Sequence, residues 1–226
     1  MGKSFSKSTI PKVRVACVGD SITYGFGLED RGQDSYPQQL QSMLGDRYHV
    51  LNFGVSGASA SQGCASSYKD LEQFDMVLKF VPDYIVLMLG TNDCQPHIEE
   101  LDTFQESFEA ILEGFCEERS TMPVVFVCHP VPLFLSGFED SFALMMNKIN
   151  QTLSSYSRQS SAGNGVDECI CSATKRAIIE TIDVYSACND QSLFPDDVHP
   201  DEEGCKVIAT TVYKSLTTWI QTNVES

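Results

Sequence analysis

No run of about 18 apolar residues occurs along the chain, so nothing in it is long enough to cross a membrane as a helix. No apolar core follows a basic start, so no secretory leader is expected. The nine cysteines are therefore expected as thiols in a reducing, cytoplasmic setting. Their spacing lacks the paired blocks of a metal site. Cys169 and Cys171 form C-x-C without a second pair, so no metal and no cofactor are expected. Cys17 and Cys128 lie inside apolar runs and read as small core residues. Basic charge is scarce, with 15 Lys and Arg against 31 Asp and Glu, a net charge of −16. Such a surface repels a phosphate backbone, which excludes nucleic acid as a partner. The phosphate-loop string G-x-x-x-x-G-K-[ST] is missing. The dinucleotide fingerprint also fails, because Gly25 and Gly27 are followed by Leu28, Glu29 and Asp30 where a third glycine is needed. Histidine is limited to His49, His97, His129 and His199.

What is present is a regular alternation. With 226 residues and 42% of them hydrophobic, one large core suffices, and there are no repeats or linkers. Residues 1–11 read as a flexible tail and 12–226 as a single domain. Strand patterns cover 12–19, 48–53, 84–89, 124–128 and 178–184. Helical patterns cover 36–44, 68–80, 98–118, 142–156 and 201–221. Ser35 is a natural N-cap for the first helix, with Pro37 tolerated in its first turn. Leu101, Phe104, Phe108, Ile111 and Leu112 share one face of the third. The stretch 157–175 is polar and reads as a surface loop. Strands alternating with helices imply a parallel sheet covered on both faces, a three-layer α/β/α sandwich. Ligands of such sheets sit beyond the carboxyl ends of the strands.

Polar residues gather at those ends. Gly19-Asp20-Ser21 ends the first strand, Asn52-Phe53-Gly54 the second and Gly90-Thr91-Asn92-Asp93 the third. His129 ends the fourth, and Asp196-Asp197-Val198-His199 follows the fifth. Gly54-Val55-Ser56-Gly57-Ala58 nearly spells the G-x-S-x-G elbow but lacks its last glycine, and reads as a loop. A serine needs a base to become a nucleophile, and histidine titrates near neutrality. His199 has Asp196 three residues before it, so the carboxylate can hold one ring nitrogen while the other faces Ser21. Asp197 is a rival for that acid role. His49 is expected exposed, His97 reads as a surface residue, and His129 is placed to line a pocket. A tetrahedral intermediate also needs donors for its oxyanion. The N–H groups of Ser21 and Gly54 and the Asn92 amide are candidates, each worth on the order of 3 kcal/mol of barrier.

In combination and in this order, Gly19-Asp20-Ser21, Gly54, Gly90-Thr91-Asn92-Asp93 and Asp196-x-x-His199 resemble the SGNH hydrolases, also called the GDSL esterase and lipase superfamily. The resemblance runs from about Val13 to Ile220. It implies a flavodoxin-like sandwich with strand order 2-1-3-4-5. It implies Ser21 as nucleophile, His199 as base, Asp196 as its orienting acid, and Ser21, Gly54 and Asn92 as the oxyanion hole. Asp20 and Asp93 then organise loops. The stretch from Asp34 to Ser59 is similar to small members described as acetylesterases of O-acetylated sugars. A short acyl ester, acetyl on a carbohydrate, is the expected substrate, with lysophospholipase or thioesterase action as the alternative. Residues 131–138, Val-Pro-Leu-Phe-Leu-Ser-Gly-Phe, offer one wall of an apolar channel for the latter. A binding module that has lost turnover is the alternative of another class. Met1-Gly2-Lys3-Ser4-Phe5-Ser6 matches the myristoylation pattern, so weak membrane association through Gly2 is a further expectation.

Overall fold

Five parallel strands run through the middle of the protein in a computed structural model that describes residues 11–62, 66–94, 103–117, 121–161 and 178–224. They are β1 (Val13–Gly19), β2 (Tyr48–Gly54), β3 (Tyr84–Met88), β4 (Val124–Cys128) and β5 (Ile178–Ile182). The spatial order is β2-β1-β3-β4-β5, as the resemblance implies. Gly19 pairs with both Gly54 and Met88, so the carboxyl ends of the three adjacent strands lie level.

Eight helices connect them among the described residues: α1 (Ser21–Tyr24), α2 (Arg31–Asp34), α3 (Tyr36–Leu44), α4 (Glu72–Phe80), α5 (Phe104–Cys116), α6 (Glu139–Ser161), α7 (Val184–Ala187) and α8 (Glu202–Asn223). Side chains alternate across a strand, so each central strand feeds two cores. Val15, Cys17, Val86, Met88, Phe126 and Cys128 face α3 and α8. Ala16, Val18, Ile85, Leu87, Val125 and Val127 face α4, α5 and α6. Burying both faces is what makes the strands read as continuous apolar runs. Cys17 and Cys128 are buried free thiols, and loss of water pushes both well up from the ordinary thiol range.

Several boundaries differ from the sequence reading. The stretch 68–80 is divided: Tyr68–Asp70 is a 3₁₀ turn, Leu71 is extended, and the α-helix starts at Glu72. α5 is shorter than 98–118, and residues 98–102, with Leu101, lie outside the described residues. Its predicted face is otherwise present, with Phe104, Phe108, Ile111 and Leu112 buried. α6 starts three residues before the expected Phe142 and continues to Ser161, so 157–161 is helix rather than loop. β5 stops at Ile182, because Asp183 accepts from the Ser186 N–H and caps α7. Ser35 is the N-cap residue of α3, but its hydroxyl makes no cap bond. Among the described residues no helix is long and apolar enough to cross a membrane.

Candidate active site

The sharp turn after β1 presents Ser21. Its first link is Asp20, which is fully buried and accepts the Ile22 N–H at 2.9 Å, capping α1. Gly25 closes α1 in the left-handed conformation, with φ of 87°. Ser21 is therefore the first residue of the helix, where a backbone N–H has no acceptor within the helix. Burial pushes the Asp20 carboxyl up to about 6; the Ile22 N–H, the Thr91 hydroxyl and His199 oppose that rise, and Asp93 adds to it.

His199 comes from the far end of the chain, on the loop before α8. Its Nε2 lies 2.9 Å from Ser21 Oγ and its Nδ1 lies 2.7 Å from Asp196 Oδ2. A carboxylate only accepts, so Nδ1 carries the proton and Nε2 accepts from the serine hydroxyl. Asp196 Oδ1 also takes the backbone N–H groups of His199 at 2.7 Å and Val198 at 3.1 Å. Burial works to raise the Asp196 carboxyl, but the hydrogen bonds from His199 and Val198 outweigh it and hold the group below its ordinary range. Asp197, the rival acid, instead accepts from Gln191 Nε2 at 2.7 Å with its carboxylate. Its carbonyl takes the Phe134 N–H at 3.0 Å, tying the histidine loop to the segment after β4.

The loops after β2 and β3 meet beside this group. Asp93 is buried and accepts the N–H groups of Ala60 at 2.9 Å and Ser61 at 2.8 Å. Its own burial raises it from the usual carboxylate range, against those hydrogen bonds. Asn92 Nδ2 donates to the Ala58 carbonyl at 2.8 Å. Asp20 and Asp93 thus act as the loop organisers expected of them.

Gly54 is placed differently from the expectation. Its N–H donates to Asn52 Oδ1 at 2.9 Å. Asn52 Nδ2 in turn reaches the Thr23 carbonyl at 2.7 Å, clamping β2 to α1. A Cβ on Gly54 would come within 2.2 Å of Tyr24 N, so glycine is required there for close packing of backbone on backbone. The Gly54 N–H is already used and does not serve an oxyanion. Gly57 is the exposed glycine of this loop, with φ of 80°, open space around it and no bonded N–H among the described residues. It directly precedes Ala58, the residue that Asn92 holds. Spacing could not separate the two glycines, since either follows a strand end closely.

The other two described histidines, His49 and His129, are not at this centre. His129 Nε2 pairs with Asn150 Oδ1 at 3.0 Å and its Nδ1 lies 3.7 Å from Asp183, so it joins β4, α6 and the start of α7. His49 is exposed and packs edge-on to Phe80. His97 lies outside the described residues, as do Gly2, Ser6, Cys169 and Cys171. The sequence leaves Phe26 open between pocket wall and simple packing. It is half exposed, and its ring centroid lies 4.7 Å from that of His199.

The sequence profile described as the GDSL-like lipase/acylhydrolase family matches residues 17–207. An acetylxylan esterase of Xylanibacter ruminicola is 27% identical over 223 residues, which cover 90% of this chain and 43% of that protein. The chain thus spans less than half the length of that relative. An aryl esterase of M. smegmatis shares the fold with a TM-score of 0.67 at 16% identity, covering 91% of this chain and 99% of the other. A carbohydrate acetylesterase family member from Sinorhizobium meliloti does so with a TM-score of 0.63 at 21% identity, covering 91% and 98%. With the sandwich, the strand order and the matched residues in agreement, the chain belongs to the GDSL-like lipase/acylhydrolase family, the SGNH hydrolases.

Proposed function

We propose that this chain is a serine esterase that removes short acyl groups, acetyl foremost, from a carbohydrate. The observation that carries the chemistry is the relay from Ser21 Oγ through His199 to Asp196, at 2.9 and 2.7 Å. Ser21 attacks the ester carbonyl while His199 Nε2 takes its proton. Asp196 keeps the imidazole in the right tautomer and stabilises the imidazolium. The oxyanion is held by the Ser21 N–H, the Gly57 N–H and Asn92. The leaving alcohol takes its proton from Nε2, and a water activated by the same nitrogen clears the acyl-enzyme. The assembled relay also disfavours the binding-module alternative.

The acetyl-sugar part draws support from the acetylxylan esterase relative. A second reading, lysophospholipase or thioesterase, is favoured by one feature. Leu133, Phe138, Phe142, Met146 and Tyr185 line an apolar cavity of about 390 Å³ beside the start of α6. Leu133 and Phe138 belong to the stretch expected to wall a channel. Initial rates on nitrophenyl esters from acetyl to palmitoyl separate the readings. A maximum at acetyl supports the acetylesterase; a maximum at long chains replaces it with the second reading. Myristoylation of Gly2 is a separate proposal, tested by mass spectrometry of the natively expressed N-terminus.

A further inference from the structure

We propose that the cavity on the imidazole side of Ser21 is the subsite for the leaving alcohol, and that its carboxylates select neutral or cationic alcohols over anionic ones. The inference rests on the esterase reading above and adds to it the charge of the substrate. Proton logic fixes the side. The leaving oxygen must collect its proton from His199 Nε2, so the alcohol lies toward the imidazole. A cavity of about 380 Å³, within the range of small-molecule sites, lies against the same residue, lined by His199, Asp196 and Phe26 among others.

Among the described residues its lining holds five carboxylates, Glu29, Asp34, Asp196, Asp201 and Glu202, and neither lysine nor arginine. Two of the five have other duties. Asp196 is paired with His199, and Asp201 accepts the Gly204 N–H as the cap of α8. Glu29 and Glu202 are exposed, and their carboxylates have no ion-pair partner among the described residues. The nearby cation Arg31 is held over the Tyr24 ring at 3.9 Å and is not part of the lining.

Phe26 completes the wall, with half of its surface open to solvent and its ring against that of His199. An aromatic face covers the apolar C–H surface of a polyol, and carboxylates accept from its hydroxyls. The same carboxylates repel a phosphate or carboxylate on the alcohol half. Acylated neutral or amino sugars fit this chemistry. Thioesters of phosphorylated carriers and esters of anionic phospholipids do not.

Three acetate esters of para-substituted phenols test this on the full chain, bearing hydroxymethyl, carboxylate or trimethylammoniomethyl groups. Each kcat/KM is divided by the ester's own rate with hydroxide, which removes differences in leaving-group reactivity. At low salt the carboxylate ester should be slower than the neutral one by about tenfold, and the cationic ester at least equal to it. The gap should shrink as added salt screens the exposed charges. In Glu29→Gln/Glu202→Gln the ratio of anionic to neutral kcat/KM should rise by about sevenfold, since each charge at roughly 7 Å through water is worth about threefold. Ratios indifferent to both salt and the double substitution overturn the subsite, in an enzyme whose cleavage Ser21→Ala abolishes. Cleavage that survives Ser21→Ala overturns the esterase site, and the subsite with it.

Discussion

Asp20→Asn removes the fully buried carboxyl of the residue that precedes the nucleophile, and its effect on stability depends on pH in a calculable way. Asparagine caps helices as well as aspartate and retains the oxygen that takes the Ile22 N–H, so α1 keeps its cap. What is lost is the titration. Burial raises the Asp20 carboxyl from 3.8 to about 6 in the folded protein. Below the unfolded value both states carry the proton, and the group imposes no penalty. Between the two values the folded state binds more protons than the unfolded one, so stability falls as pH rises. Above about 6 the full penalty is present, and two pKa units correspond to about 3 kcal/mol. Urea unfolding of wild type and Asp20→Asn across the acid-to-neutral range should therefore show the variant gaining about 3 kcal/mol relative to wild type as pH increases. Comparing the two proteins at each pH cancels the carboxylates that do not interact with Asp20; Asp93, which adds to its rise, is not one of them. A difference that stays flat across that range would show that Asp20 is not held near 6, and the account of this turn would be wrong.

The two loop glycines should part company. Gly54→Ala drives a Cβ into the Tyr24 backbone and should destabilise the fold by about 3 kcal/mol, read by denaturant unfolding. Gly57→Ala meets no neighbouring atom but is strained by the positive φ of 80°, so it should shift the backbone N–H, lowering kcat alongside a modest loss of stability; an unchanged kcat would remove Gly57 from the hole. Asn92→Ala should lower kcat by about a hundredfold with a smaller change in KM, measured on a short-chain ester.

Much of this was legible before any coordinates. β4 and α3 span the residues that periodicity assigns, since apolar runs bounded by prolines and a helix bounded by Ser35 and Gly45 leave little freedom. Ser21, Asp196 and His199 could be read because each sits at or after a strand end, where topology gathers them. Other features depend on contacts that spacing does not encode. Gly54 and Gly57 differ in backbone conformation, in whether the N–H is bonded and in what lies against them, the Tyr24 backbone for one and open space for the other. The helical extension through residue 161 is polar, and a polar stretch reads as loop until helix continuity carries it. Phe26 carried no pattern at all, and only the folded loop brings it against His199.

The nucleophile is the central claim, and a fluorophosphonate reporter tests it most directly. Intact-mass and peptide mass spectrometry of the labelled full chain should find one adduct, on the peptide that contains Ser21. The adduct should vanish in Ser21→Ala while unfolding behaviour stays that of wild type. A folded wild-type protein that takes no label, or one labelled at another residue in both proteins, would contradict the account.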